Sequence, residues 1–512
     1  MALMPLLLTG RTLTLDQIDG YLAGDAVRVP PAAWRAVDRA RAVVERALTS
    51  GRAFYGINTG FGRLSHVRIP DSQVAELQLN LLRSHAVGVG DPLPHDESLV
   101  ALLLRANTLA RGNSGVRRTV IRSLVALANA RIAPVIPGQG SVGASGDLAP
   151  LAHLALVLIG EGEAFLPGGK RVRGVEALRR AGVKPVLLAA KEGISLINGT
   201  QIMSAILGLG LLRARRLAGA ADVAAAMSLD ALKGTTVAYD ERIQAARPHP
   251  GQAACAAAVR KLMAGSGIRK SHAGCGKVQD QYSLRCVPQV HGAARDALAF
   301  ATGVLETEFN AATDNPLVFP ETGEILSGGN FHGQPVAQAA DFAALGVCEL
   351  GSISERRTES LVNPDLSGLP PFLAKDSGLN SGMMILQVVA AALVSENKVL
   401  AHPACVDSIP TSANREDHVS MGVTSALKFR RIVENVERIL AVELVIAAQG
   451  LEFHRPLRSS KALEGVHALI RSEVAPLGRD RSLSVEIEAV RRMIGDGRLL
   501  SAAGLPEGRR GL

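Results

Sequence analysis

Aromatic residues are scarce in this chain: one Trp, four Tyr and 11 Phe, or 3% of 512 residues. Binding single-stranded nucleic acid calls for stacking aromatics along a basic groove. The formal charge of +9 is carried by Lys and Arg scattered over helical faces, as in Arg213-Ala214-Arg215-Arg216, not gathered in a patch. No nucleic-acid partner is expected. Cysteine is also sparse, with five residues at 255, 275, 286, 348 and 405. None forms a Cys-x-x-Cys pair or another metal-like spacing, and the odd count argues against a disulfide framework. A reducing cytoplasm is the natural compartment, and no metal is expected. Uninterrupted apolar runs are short. Ile202 to Leu212 cannot span a bilayer, and charges break the longer stretches, so no membrane is expected. The start Met-Ala-Leu-Met-Pro-Leu-Leu-Leu lacks a basic leader and a cleavage site, and it does not read as a signal peptide. The Gly-rich stretch 54–62 is not followed by Gly-Lys-Ser/Thr, which excludes a phosphate loop. Strand–helix alternation is missing too, which excludes a Rossmann or barrel fold.

Helical patterning is abundant. Hydrophobic residues make up 47% of the chain, and Ala and Leu, both strong helix formers, abound. Thr14-Leu-Asp-Gln17 reads as a capping box. Pro30-Pro31 opens a helix with Trp34, Val37, Val44 and Leu48 on one face. Further helices are predicted near 72–83, 97–111, 115–132, 148–159, 199–233, 334–361, 383–400 and 422–451. Small hairpins are predicted over 163–172 and 317–325, and a loop-rich stretch over 264–292. The expected fold is mainly α. A domain at 1–198 would have a few short strands, a bundle of long antiparallel helices would follow over 199–455, and a helical C-terminal part over 456–512.

One stretch stands apart, Pro-Gly-Gln-Gly-Ser-Val-Gly-Ala-Ser-Gly-Asp-Leu-Ala-Pro-Leu-Ala-His at 137–153. Small residues crowd around Ala144-Ser145-Gly146 before an apolar helical run begins. Asp147 suits an N-cap, and Pro150 falls in the first turn, where a missing N–H costs nothing.

This run closely resembles the signature of the aromatic amino acid ammonia-lyases. The resemblance extends from about 50 to 455, with matching motifs in the same order. It implies that Ala144, Ser145 and Gly146 cyclise autocatalytically to 4-methylideneimidazol-5-one, with no external cofactor. The Gly146 nitrogen would attack the Ala144 carbonyl carbon, Ser145 would lose its hydroxyl, and two waters would leave. Ordinary side chains offer no comparable electrophile.

Other roles follow from the same resemblance. Tyr55, in Tyr-Gly-Ile-Asn-Thr-Gly-Phe-Gly, would remove the β-proton; a phenol needs help to act as a base near neutral pH, and a positive neighbourhood would lower its pKa. Asn198, in Leu-Ile-Asn-Gly-Thr-Gln, and Tyr282 would support the electrophile. Arg285, in Gln-Tyr-Ser-Leu-Arg, would grip a carboxylate with its planar fork. Gln279 and Phe331 would line the pocket. Ser84-His85 and Glu416 match the family's imidazole-type selectivity positions. Together they imply elimination of ammonia from L-histidine to trans-urocanate, with phenylalanine or tyrosine lyase or aminomutase activity as alternatives. The family also implies the fumarase/aspartase-like helical superfamily fold and a homotetramer with active sites shared between subunits. Gln334, Arg415 and Gly422 depart from the family pattern.

Overall fold

A computed structural model of the chain describes residues 5–50 and 52–506. Met1–Met4, half of the stretch read against a signal peptide, lie outside the described residues, as do the last six residues of the C-terminal part. Helix predominates, at 59% of residues. Two compact units are present. The first comprises 1–209, 302–340 and 403–427, and the second 210–301, 341–402 and 428–512. Each draws on segments distant in sequence, unlike the three consecutive stretches expected. Four of the five boundaries fall within long helices, and the fifth, at 402/403, follows helix Met384–Leu400.

The first unit contains all the sheets found among the described residues. Leu6–Leu7 pairs parallel to Val27–Arg28, and Val89–Pro92 pairs antiparallel to Pro137–Gln139. The hairpin Glu163–Phe165/Arg171–Arg173 and the hairpin Leu317–Phe319/Glu324–Leu326 both form where predicted. The capping box forms as well, with Thr14 accepting from the Gln17 N–H and Gln17 reaching back to the Thr14 N–H. Helices Val74–His85, His95–Ala110, Arg118–Asn129 and Leu148–Leu158 follow the apolar periodicity. Ala40, Val43, Val44, Ile57, Val74, Ala190 and Val318 make a buried cluster. Ile57 anchors the Tyr55 loop in that cluster.

Polar groups fix the floor of this unit. Arg105 is fully buried and donates to the carbonyls of Ser195 (3.0 Å) and Asn198 (3.1 Å). Burial lowers its pKa to about 10. Lys191 and Asp314 form a fully buried ion pair at 2.9 Å, with Ser195 donating to the same carboxylate. Removing one partner of such a pair leaves an uncompensated charge.

Among its described residues the second unit consists of helices joined by loops, with no sheet. It includes Pro250–Met263, Met384–Leu400, Lys461–Arg471 and Ser484–Gly495. Arg357 and Glu443, both without exposed side-chain surface, pair at 2.5 Å, and Ser228 and Ser354 donate to the same carboxylate. The stretch 264–292 is less loop-like than expected. It holds Gly267–Ser271 and Tyr282–Arg285, and the helix Val287–Phe309 starts inside it. Pro288 falls in the first turn of that helix, where proline is tolerated.

One helix, Gln334–Val362, is long and apolar enough to cross a membrane by length and composition, although Asp341 and Glu349 interrupt its apolar run. Within its apolar window 61% of residues are buried, as in a core helix.

Candidate active site

Seven of the expected residues line one cavity of about 970 Å³ in the first unit: Tyr55, Ser84, His85, Ser145, Asn198, Phe331 and Glu416. Helix Val74–His85 presents Ser84 and His85 at its C-terminal end. Asn198 caps the short helix Glu192–Ile197. Phe331 precedes helix Gln334–Val362, and Glu416 precedes helix Gly422–Glu452.

The 143–147 loop is tightly constrained. Ser145 has φ of 53° and Gly146 φ of 78°. Such left-handed backbone is costly for any residue with a side chain, and Ser145 is held there by its surroundings. A Cβ on Gly146 would lie 2.1 Å from the Gly199 carbonyl oxygen, so only glycine fits. The Gly146 N–H makes only a long bond, 3.4 Å, to the Gly143 carbonyl. Asn198 Nδ2 donates to the Ser145 carbonyl at 2.7 Å, and the Asp147 N–H donates to the Gly199 carbonyl at 2.8 Å. A compact loop with an unhindered, weakly bonded glycine nitrogen suits backbone cyclisation, so these residues fit the implied electrophile.

Asp147 does not do what its position suggests. It stands at the N-cap of Leu148–Leu158 without a side-chain cap bond. Its carboxylate instead accepts from the N–H groups of Ile202 (2.9 Å) and Met203 (3.0 Å), at the start of the long helix Gln201–Ala231. Burial pushes its pKa up to about 7, against the lowering by those donors and the Arg105 charge.

Glu416 is the electrostatic centre of the cavity. Ser145 Oγ donates to its Oε1 at 2.9 Å, and Thr411 Oγ1 donates to Oε2 at 2.7 Å. Its charge reaches both Tyr55 and His85. Burial lowers the His85 pKa, outweighing the Leu81 carbonyl and Glu416. Nδ1 of His85 lies 2.9 Å from the Leu81 carbonyl, which can only accept. The proton of the neutral ring is therefore on Nδ1, and Nε2 is an acceptor. For Tyr55 the shift is upward. Burial, then the charge of Glu416, raises its pKa, while the Gly62 N–H, 3.3 Å from the phenol oxygen, lowers it less.

Gln279, Tyr282 and Arg285 lie in the second unit and are not among the residues lining this cavity. Tyr282 is 71% exposed, with the Arg285 guanidinium 4.6 Å from its ring centroid. The departures from the family pattern separate. Gln334 Nε2 donates to the Cys405 carbonyl. A Cβ on Gly422 would meet Met203 Sδ at 2.4 Å, so a larger residue there would have to displace the end of that side chain. Only Arg415 lines the cavity.

Sequence reasoning missed two residues at the site, Thr411 and His332. His332 Nδ1 accepts from the Gln334 N–H (3.3 Å), and its Nε2 donates to the His418 carbonyl (3.2 Å). Its ring stacks on that of His418 with centroids 5.7 Å apart. Thus it ties the Phe331 loop to the Glu416 loop. Neither residue stands in a spacing that carries a signal.

Asp222, Cys255 and His291 are buried in the second unit with potential ligand atoms within 4.8 Å of one another. Asp222 is already paired with Arg295 at 2.5 Å, and burial holds the Cys255 thiol protonated. A divalent cation prefers a thiolate and an unpaired carboxylate, so this trio is a buried polar network.

A helical scaffold with a strained Ala-Ser-Gly loop facing a His/Glu-lined cavity defines a class of enzyme. Residues 13–472 match the aromatic amino acid lyase family model, and the chain belongs to that family. It is 58% identical to a histidine ammonia-lyase of Anaeromyxobacter dehalogenans over 503 residues, covering 96% of this chain and 99% of the relative. The crystal structure of histidine ammonia-lyase from Trypanosoma cruzi is similar with a TM-score of 0.91 and 46% identity, covering 99% of this chain and 97% of that one. A tyrosine aminomutase from Streptomyces globisporus is similar with a TM-score of 0.93 and 37% identity, covering 98% of both chains.

Proposed function

We propose that this chain eliminates ammonia from L-histidine to give trans-urocanate, as the first step of histidine breakdown. The observation that carries the reading is the meeting of His85 and Glu416 on the cavity that holds Ser145. The Glu416 carboxylate suits the N–H of an imidazole, and the His85 ring gives it a second polar neighbour. They gain nothing from a phenyl ring.

Ala144, Ser145 and Gly146 would form 4-methylideneimidazol-5-one with loss of two waters, held by Asn198 through the Ser145 carbonyl. That group supplies an electrophilic carbon, which makes the amine a better leaving group. Tyr55, its phenol facing the cavity, is the candidate to take the β-proton. In the isolated chain, burial and Glu416 oppose its ionisation, so this role needs a cation from elsewhere.

Arg285 is the candidate cation. In this proposal the chain assembles as a homotetramer, and Tyr282, Arg285 and Gln279 of one copy complete the cavity of another. Arg285 then binds the substrate carboxylate and lowers the Tyr55 pKa. The enzyme works in the cytoplasm, and it uses no metal or external cofactor.

The test is incubation with L-histidine while following urocanate absorbance, with product analysis. Formation of a β-amino acid in place of urocanate would make the chain an aminomutase. No turnover of L-histidine would remove the substrate assignment.

A further inference from the structure

We propose that Thr411 is a positioning residue for imidazole selectivity, acting through Glu416; this rests on the reading of Glu416 as an acceptor for the substrate ring. Two features of the 411–416 turn support it. Thr411 and Glu416 are bridged backbone to backbone, the Thr411 N–H donating to the Glu416 carbonyl at 2.9 Å and the Glu416 N–H returning a bond to Thr411 at 3.3 Å. Between them Ser412, Ala413 and Asn414 have φ of 49°, 52° and 65°. Three successive left-handed residues without glycine are a costly way to build a turn. Such strain persists where the surroundings over-determine it, and it clusters at functional sites. Here the turn places the Thr411 hydroxyl 2.7 Å from Glu416 Oε2.

The two oxygens of Glu416 have different donors, and the difference gives Thr411 its role. Oε1 takes the Ser145 hydroxyl and Oε2 takes Thr411. In the chain as translated, both oxygens are occupied. Cyclisation removes the Ser145 hydroxyl as water, which leaves Oε1 without that donor and Oε2 still tied to Thr411. The carboxylate thus keeps its direction and offers Oε1 where the hydroxyl stood. The substrate-reading acceptor is released by the same event that builds the electrophile, and Thr411 keeps it aimed. Without the Thr411 hydroxyl the carboxylate can rotate, and the ring N–H meets a disordered acceptor.

The experiment compares full-length wild type, Thr411→Val, Thr411→Ser, Glu416→Gln and the Thr411→Val/Glu416→Gln double variant. Each is measured by intact mass and by kcat and KM for L-histidine. All five are expected to lose two waters. Loss of a hydrogen bond to a charged group predicts a fall in kcat/KM of about ten- to hundredfold for Thr411→Val. Thr411→Ser restores the hydroxyl and should return to within about threefold of wild type, and Thr411→Val should add little in the Glu416→Gln background. Wild-type efficiency in Thr411→Val, no rescue by Ser, or multiplying losses in the double variant overturns the proposal. So does a Thr411→Val chain that retains both waters, since Thr411 would then serve loop maturation. Unimpaired Glu416→Gln would instead overturn the reading of Glu416 itself.

Discussion

Ser145 and Glu416 stand 271 residues apart, yet the Ser145 hydroxyl donates to the Glu416 carboxylate at 2.9 Å. In the proposed reading, the residue that would lose its hydroxyl and the residue that would select the ring are therefore direct neighbours before any chemistry occurs.

Ser145→Ala has no hydroxyl to eliminate. Wild type should be lighter than the encoded chain by two waters in intact-mass measurement, and Ser145→Ala should lack the methylidene and lose activity. A wild-type mass equal to the unmodified sequence would sink the mechanism. Gly146→Ala should fail for a different reason, because its Cβ would sit 2.1 Å from the Gly199 carbonyl oxygen.

His85→Leu with Glu416→Gln should depress turnover of L-histidine far more than it harms folding. A site built to hydrogen-bond a polar ring discriminates against an apolar one by about four orders of magnitude. The measurement is the ratio of kcat/KM for L-histidine and L-phenylalanine in wild type and double variant. An unchanged ratio would remove both residues from ring recognition.

Arg285→Lys cannot present a bidentate fork to a carboxylate, so kcat/KM should fall strongly while the folded assembly persists. Because Arg285 and Ser145 lie in different units, co-expression of Ser145→Ala with Arg285→Lys chains tests whether sites are shared. Partial recovery of activity in the mixture is expected. Absence of recovery would argue that each chain completes its own site.

Asp147 makes stability depend on pH. Its folded pKa of about 7 lies above the ordinary carboxyl value. The folded state therefore holds a proton that the unfolded chain gives up from about pH 4 upward. Stability should fall as pH rises from about 4 to about 7 and level off above that. Denaturant midpoints for wild type and Asp147→Asn should show a shallower decline in the variant. Parallel slopes would mean that Asp147 does not titrate in this way.

Much of the fold was legible because helix and hairpin signals are local. Apolar periodicity placed Val74–His85 and Leu148–Leu158 closely, and Gly323, in a turn with φ of 76°, marked the second hairpin. The role of Asp147 was not legible. A short carboxylate before a helix reads as a cap for that helix, and only the tertiary approach of Gln201–Ala231 diverts it. Thr411 was silent for a similar reason, since its partner is set by three left-handed residues that no propensity favours. The Tyr55 environment was not legible because sequence could not show that Glu416, distant along the chain, is a neighbouring charge.

The cap formed by Asp147 also bears on where such a loop can exist. The loop's shape depends on Asn198, Gly199 and the first turn of the helix beyond them, all more than 50 positions downstream of the tripeptide. Ala-Ser-Gly is thus not portable. Copied into another protein it would lack these partners, and nothing would hold Ser145 in its left-handed conformation. The constrained loop is a tertiary object, and its three letters are only its visible part.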